Sequence, residues 1–146
     1  MRAVNHGLTG AAIAVVVKQP ILVLPLAFVS HFVCDFIPHS DVKVFKSRKF
    51  WLVLYADMAL AVVCTLAIAT IWHHLWWLVI ISAFTAASPD LTWLYYRFWH
   101  PTKRLDIITK FHSVIQWAQM DSMLGYGIEA AWFIIFFGGL IYYGLK

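Results

Sequence analysis

The sequence predicts an all-α fold, a polytopic transmembrane helical bundle, on three observations. Of its 146 residues 62% are hydrophobic and only 12% charged, against about 45–50% and about 25% in soluble domains. Mean hydropathy is +0.77. The apolar residues fall in runs approaching the roughly 20 residues that cross a bilayer, divided by short basic or polar stretches. Such a chain holds about four or five spans and no soluble domain, so residues 1–146 are read as a single integral membrane domain.

The first segment, 6–18 (HGLTGAAIAVVVK), is a short apolar helix closed by Lys18 and Pro20. Arg2 ahead of an apolar core has the outline of a signal peptide. No small-x-small cleavage site follows, so the segment is read as retained. The second, 20–37, ends before Pro38, because proline disfavours helical geometry in the residue before it. A basic loop with Lys43, Lys46, Arg48 and Lys49 follows. The third, 50–72, is interrupted only by Asp57, and His73 and His74 mark the next turn. The fourth, 75–96, leads into Arg97, Lys103 and Arg104 around His100 and Pro101.

Residues 105–119 differ in kind. Leu105, Ile108, Phe111, Ile115 and Ala118 recur at helical spacing while Lys110, Ser113 and Gln116 fall off that stripe. This predicts an amphipathic helix lying in the interface. The last span is 123–145. Cys34 and Cys64 both lie in apolar stretches and give neither a disulfide framework nor a zinc-finger spacing.

Basic residues set the orientation. With the N-terminus inside, the inner face carries Arg2, Lys43, Lys46, Arg48, Lys49, Arg97, Lys103, Arg104 and Lys110, and the outer face only Lys18 and Lys146. Nine against two puts the N-terminus in the cytoplasm and the C-terminus outside a cell (inner) membrane. The net charge of +4 and pI ≈ 9.2 then mark one membrane face, and no nucleic-acid partner is expected.

On that topology the ionisable residues gather at one end. His31 and Asp35, in SHFVCDFIPHS, share a helix face at i and i+4. His6 opens the first helix, Asp57 and Asp90 lie about two turns from the inner ends of theirs, and Glu129 comes early in the last span. At about 1.5 Å per residue, several of these groups fall within roughly 10 Å of the inner boundary. His39, His73, His74 and His100 read as turn or interface residues, although His39 is close enough in sequence to join the site. His112, beside the amphipathic stripe, could reach it as well. Asp41 and Asp106 read as solvated.

Charged groups inside a bilayer cost about 2.5–3.5 kcal/mol each on insertion scales, so they face inward and pair. A mixture of imidazoles and carboxylates suits a divalent cation. Zinc accepts His and Asp, whereas manganese or magnesium favours more carboxylate and water. The site residues expected are His6, His31, Asp35 and Asp90 on the metal, with Asp57, Glu129 and His112 catalytic.

Around these residues the chain resembles the bacterial inner-membrane metal-dependent hydrolase family. The resemblance lies in NHGLTG near the start, SHFVCD in a span, SPDL at a span end and FHSV further on. It implies that His6, His31, Asp35, Asp90 and His112 belong to the metal and catalytic site. The chain departs from the family pattern at Thr92, where a second acid usually follows, and in the order of the SHxxxD and PD motifs.

The expected function is hydrolysis of a lipid-like substrate, a phosphoester before an ester or amide, at the cytoplasmic membrane face, with membrane lipids as partners. Two alternatives belong to other classes. A small transporter or ion-pathway protein would place polar groups near the midplane, and here they gather at one end. A non-enzymatic assembly module needs polar groups only for helix association, where Ser, Thr or Gly would serve.

Overall fold

The helix nearest the N-terminus is the one around which the others pack. The computed structural model describes residues 1–40, 48–91, 110–111, 114–115, 117, 119–120 and 122–146. Within it, α1 (Ala3–Val17) is buried from Ala3 through Ala11 and again at Ala14 and Val15. Burial all round the circumference marks a helix enclosed on every side. It packs against α2 (Pro20–Phe36), α3 (Arg48–Ile71), α4 (Trp76–Ala87) and α5 (Met123–Gly144).

Small side chains make that enclosure possible. A Cβ on Gly10 would lie 2.5 Å from the Ser82 carbonyl oxygen and 2.8 Å from the Ala86 Cβ, so only glycine permits this approach of α1 to α4. Ser82 Oγ donates to the Gly10 carbonyl at 2.6 Å across the same contact. Beyond it, Leu8, Ala11, Ala14, Ile68, Leu78 and Val79 form a continuous apolar core.

Local chemistry ends each element. Lys18 adopts a left-handed conformation (φ 61°) and closes α1. Pro20 opens α2 at the first helical position, where its missing N–H has no helical partner to lose. Ile37 is extended before Pro38, as the proline requires. A 3-10 turn at His73–Leu75 joins α3 to α4, a second one at Ser88–Asp90 finishes α4, and α5 carries a π turn at Ile134–Gly138. His39–Ser40 (β1) pairs in parallel with Gln119–Met120 (β2).

Apart from that two-residue bridge the described chain is all-α, as the sequence predicts. The first helix starts at Ala3 rather than residue 6, which sets His6 inside its first turn. Gln119 is paired extended with His39 instead of ending a helix. Most of 105–119, the last five residues of 75–96, and the basic residues Lys43, Lys46, Arg97, Lys103 and Arg104 lie outside the described residues.

Two helices, Phe50–Ile71 and Met123–Gly144, are long and apolar enough to cross a membrane, and Ala3–Val17 and Pro20–Phe36 are shorter apolar helices. The outward faces are apolar too. Ile21, Val33, Leu52, Val63, Ile134 and Ile135 are each more than half exposed.

Candidate metal centre

Three helix ends meet at one point: the start of α1, the end of α2 and the 3-10 turn that finishes α4. They bring together His6, His31, Asp35 and Asp90. His6, His31 and Asp35 have fully buried side chains, and that of Asp90 is 16% exposed. His6 Nε2 stands 3.1 Å from Asp35 Oδ1 and 3.9 Å from Asp90 Oδ2. His31 Nε2 stands 3.2 Å from Asp35 Oδ2 and 3.8 Å from Asp90 Oδ1. The two imidazole rings are stacked, with centroids 4.0 Å apart.

The protons decide what this geometry can hold. His31 Nδ1 lies 2.8 Å from the Ala86 carbonyl oxygen. A carbonyl only accepts, so Nδ1 carries the hydrogen, and Nε2, when it carries none, turns a lone pair towards two carboxylates. Acceptors facing acceptors repel unless a proton or a cation lies between them. For His6, Nδ1 has no hydrogen-bond partner among the described residues, and Nε2 stands 3.1 Å from Asp35 Oδ1. Protonating both stacked rings would set two positive charges about 4 Å apart. A single divalent ion satisfies both nitrogens and balances two carboxylates at once.

Distances agree with that arrangement. Ligand atoms about 2.0–2.2 Å from a tetrahedral zinc stand about 3.3–3.6 Å from one another, and the four separations above bracket this range. His6, His31 and Asp90 offer three ligand atoms within 4.8 Å of one another. Asp35 spans both imidazoles and also accepts from the Met1 amino group. Three protein ligands with a fourth position open is the catalytic pattern for zinc. An Nδ1–H donated to a backbone carbonyl is the usual outer contact that orients a metal-binding histidine.

Pro89 leaves the Ala86 carbonyl one competing donor fewer. In a 3-10 turn each N–H reaches the carbonyl three residues back. Proline has no N–H, so the turn supplies no such donor to Ala86, whose carbonyl receives His31 instead. The SPD run is thus both the end of α4 and the support of the site.

Asp57 and Glu129 lie at the same end of the bundle but serve the start of α1. Asp57 Oδ2 accepts from the Ala3 amide at 2.6 Å, and Oδ1 from that of Val4 at 3.3 Å. Arg2 offers no side-chain cap, and Asp57 supplies one from α3. Glu129 Oε2 pairs with Arg2 Nε at 3.3 Å, and its backbone carbonyl accepts from Asn5 Nδ2 at 3.2 Å. Glu129 Oε1 is buried without a partner among the described residues. His39 is buried in the β1 bridge, its Nδ1 2.7 Å from the Ile37 carbonyl, and does not join the cluster. His73 and His74 are in the turn between α3 and α4, as expected. His112 lies outside the described residues.

Sequence reasoning missed Ala86, Asn5 and Arg2. Ala86 acts through a backbone carbonyl that carries no side-chain signal, and only the proline three residues on hints at it. No protein-family model, curated protein or solved structure matches the chain.

Proposed function

We propose that this chain is an integral-membrane, metal-dependent hydrolase acting on a lipid-like substrate, with a phosphoester as the bond cleaved. The observation that carries the reading is the convergence of His6, His31, Asp35 and Asp90, two imidazoles turned onto two carboxylates. Its setting, one end of a helical bundle with an apolar exterior, favours a membrane enzyme. The motif resemblance to inner-membrane metal-dependent hydrolases points the same way. Zinc is the first choice of ion, because half the donor set is imidazole; manganese or magnesium is the alternative.

A divalent ion held there would polarise a phosphoryl oxygen and acidify a water molecule. The chain's own residues do the rest. Ala86 holds His31 in one tautomer, Asp35 fixes both imidazoles, and the partly exposed Asp90 forms the open side that a substrate approaches. Glu129, with Oε1 uncommitted, is the proton acceptor. On the proposed topology the cluster sits near the cytoplasmic face, where the basic residues draw in an anionic headgroup.

The test is elemental analysis of detergent-purified protein, paired with turnover on a phospholipid panel. Near-stoichiometric zinc or manganese and release of phosphate or a headgroup are expected. A metal-free, inert protein would overturn the reading in favour of an assembly module.

A further inference from the structure

One cavity leads away from the cluster. It has a volume of about 290 Å³ and lies between α3 and α4, with Ala3 and Gly7 of α1 as its floor. Asp90 belongs both to this lining and to the cluster. From Asp90 the cavity runs along one face of α3, through Leu54, Met58 and Ala61 to Leu66. Ile80 and Phe84 of α4 form the facing wall. Apart from Thr65, the polar residues of the lining, Ser88 and Asp90, are at the cluster end. The mouth opens beside Val62, Leu66 and Phe84, which are more than half exposed on the apolar exterior.

We propose that this groove holds the hydrocarbon tail of a single-chain amphiphilic substrate whose headgroup lies at Asp90. The proposal rests on reading the cluster as a metal centre in a membrane protein. Its geometry suits such a ligand in three ways. From Leu54 to Leu66 the groove is about 18 Å long at the helical rise, close to the roughly 15 Å of one leaflet of a bilayer core. Its volume is at the lower end of small-molecule sites, about 300–1,000 Å³, which suits one tail. Polar groups at one end and an apolar side opening let a lipid enter sideways without its tail leaving an apolar medium.

Photolabelling tests it. Wild-type protein in phosphatidylglycerol nanodiscs is exposed to a long-chain alkyl phosphate bearing a diazirine at the tail end, and labelled residues are mapped by mass spectrometry. Labels are expected on Leu66 and Ile80, far from the cluster. Ala61→Phe, which fills the groove midway, should cut that labelling about tenfold, within the range set by steric misfit in apolar pockets, while zinc content stays unchanged. If Ala61→Phe does not accumulate folded, Met58→Trp fills the groove from a half-buried position with the same expectation. Undiminished labelling in the filled variant would overturn the proposal. Equal labelling of Leu66 and Ile80 by a two-chain diazirine phospholipid would also overturn it, by making the groove a seat for bulk lipid. Metal content separates the two readings: a wild type free of divalent metal that still labels Leu66 and Ile80 removes the metal centre and keeps the tail groove.

Discussion

His31 carries the largest share of the site, because its Nδ1 donates to the Ala86 carbonyl while its Nε2 stands within 4 Å of the carboxylates of both Asp35 and Asp90. Under the proposed function, His31→Ala and Asp35→Ala are each expected to abolish bound metal while the protein still inserts, as measured by elemental analysis of the purified variants. Full metal in either would make the cluster a structural ion pair. Asp57 is a different case. As a lone acid in an apolar span it reads from sequence as a general base, but both its oxygens are committed to the first amides of α1. Asp57→Asn keeps one acceptor and loses the charge, so the expected effect is a cap loss of about 0.5–2 kcal/mol, with turnover largely retained. Thermal melting beside a turnover assay decides it. Unchanged stability with turnover lower by about 10²–10⁴-fold would restore Asp57 as the base. Glu129→Gln is expected to lower turnover by that factor, with a small loss of stability from the broken Arg2 pair. The i, i+4 spacing made His31 and Asp35 legible together. What Asp57 does was not, because its partners are backbone amides more than 50 positions away.

At the scale of helices, the contact of α1 with α4 holds the site together. Gly10 lies on that contact, against Ser82 and Ala86, and Ala86 also holds His31. A side chain at position 10 would push α4 away and draw the Ala86 carbonyl with it. Gly10→Val is therefore expected to cost about 1–3 kcal/mol as overpacking and to weaken zinc binding as well, although residue 10 touches no ligand. Melting with and without added zinc separates the two effects: a variant stabilised by zinc as much as the wild type would show that α4 does not transmit the strain. The helices themselves were legible from the lengths of their apolar runs, and their ends from Lys18, Pro20 and Pro38. The start of α1 was not, because its cap comes from Asp57 on another helix and leaves no local signal. The β1–β2 bridge was equally hidden, since two residues are too few to show an alternating pattern.

Across the whole molecule the polar residues of α1, α2, α4 and α5 meet at one end, and the opposite end carries Lys18, Trp72, His73, His74 and Lys146. Trp72 Nε1 there donates to the Leu140 carbonyl at 3.0 Å, and the Lys146 ammonium lies 4.2 Å from the Tyr142 ring centre. This polarity, with the nine-to-two division of basic residues, sets the topology within the proposed function. Basic loops resist translocation, so the cluster end should face the cytoplasm. A reporter fused after Lys146 should report an external or periplasmic location, and one inserted near Lys46 a cytoplasmic one. The prediction depends on α1 crossing the bilayer, and at 15 residues it is shorter than the roughly 17–25 of a typical span. In a bilayer, enclosure by the other helices would compensate, because α1 is buried among them and would meet little lipid. A cytoplasmic C-terminus would mean that one segment fails to cross, with α1 the first suspect. His6 would then still sit beside His31 and Asp35, but the approach from the cytoplasmic leaflet would have to be abandoned.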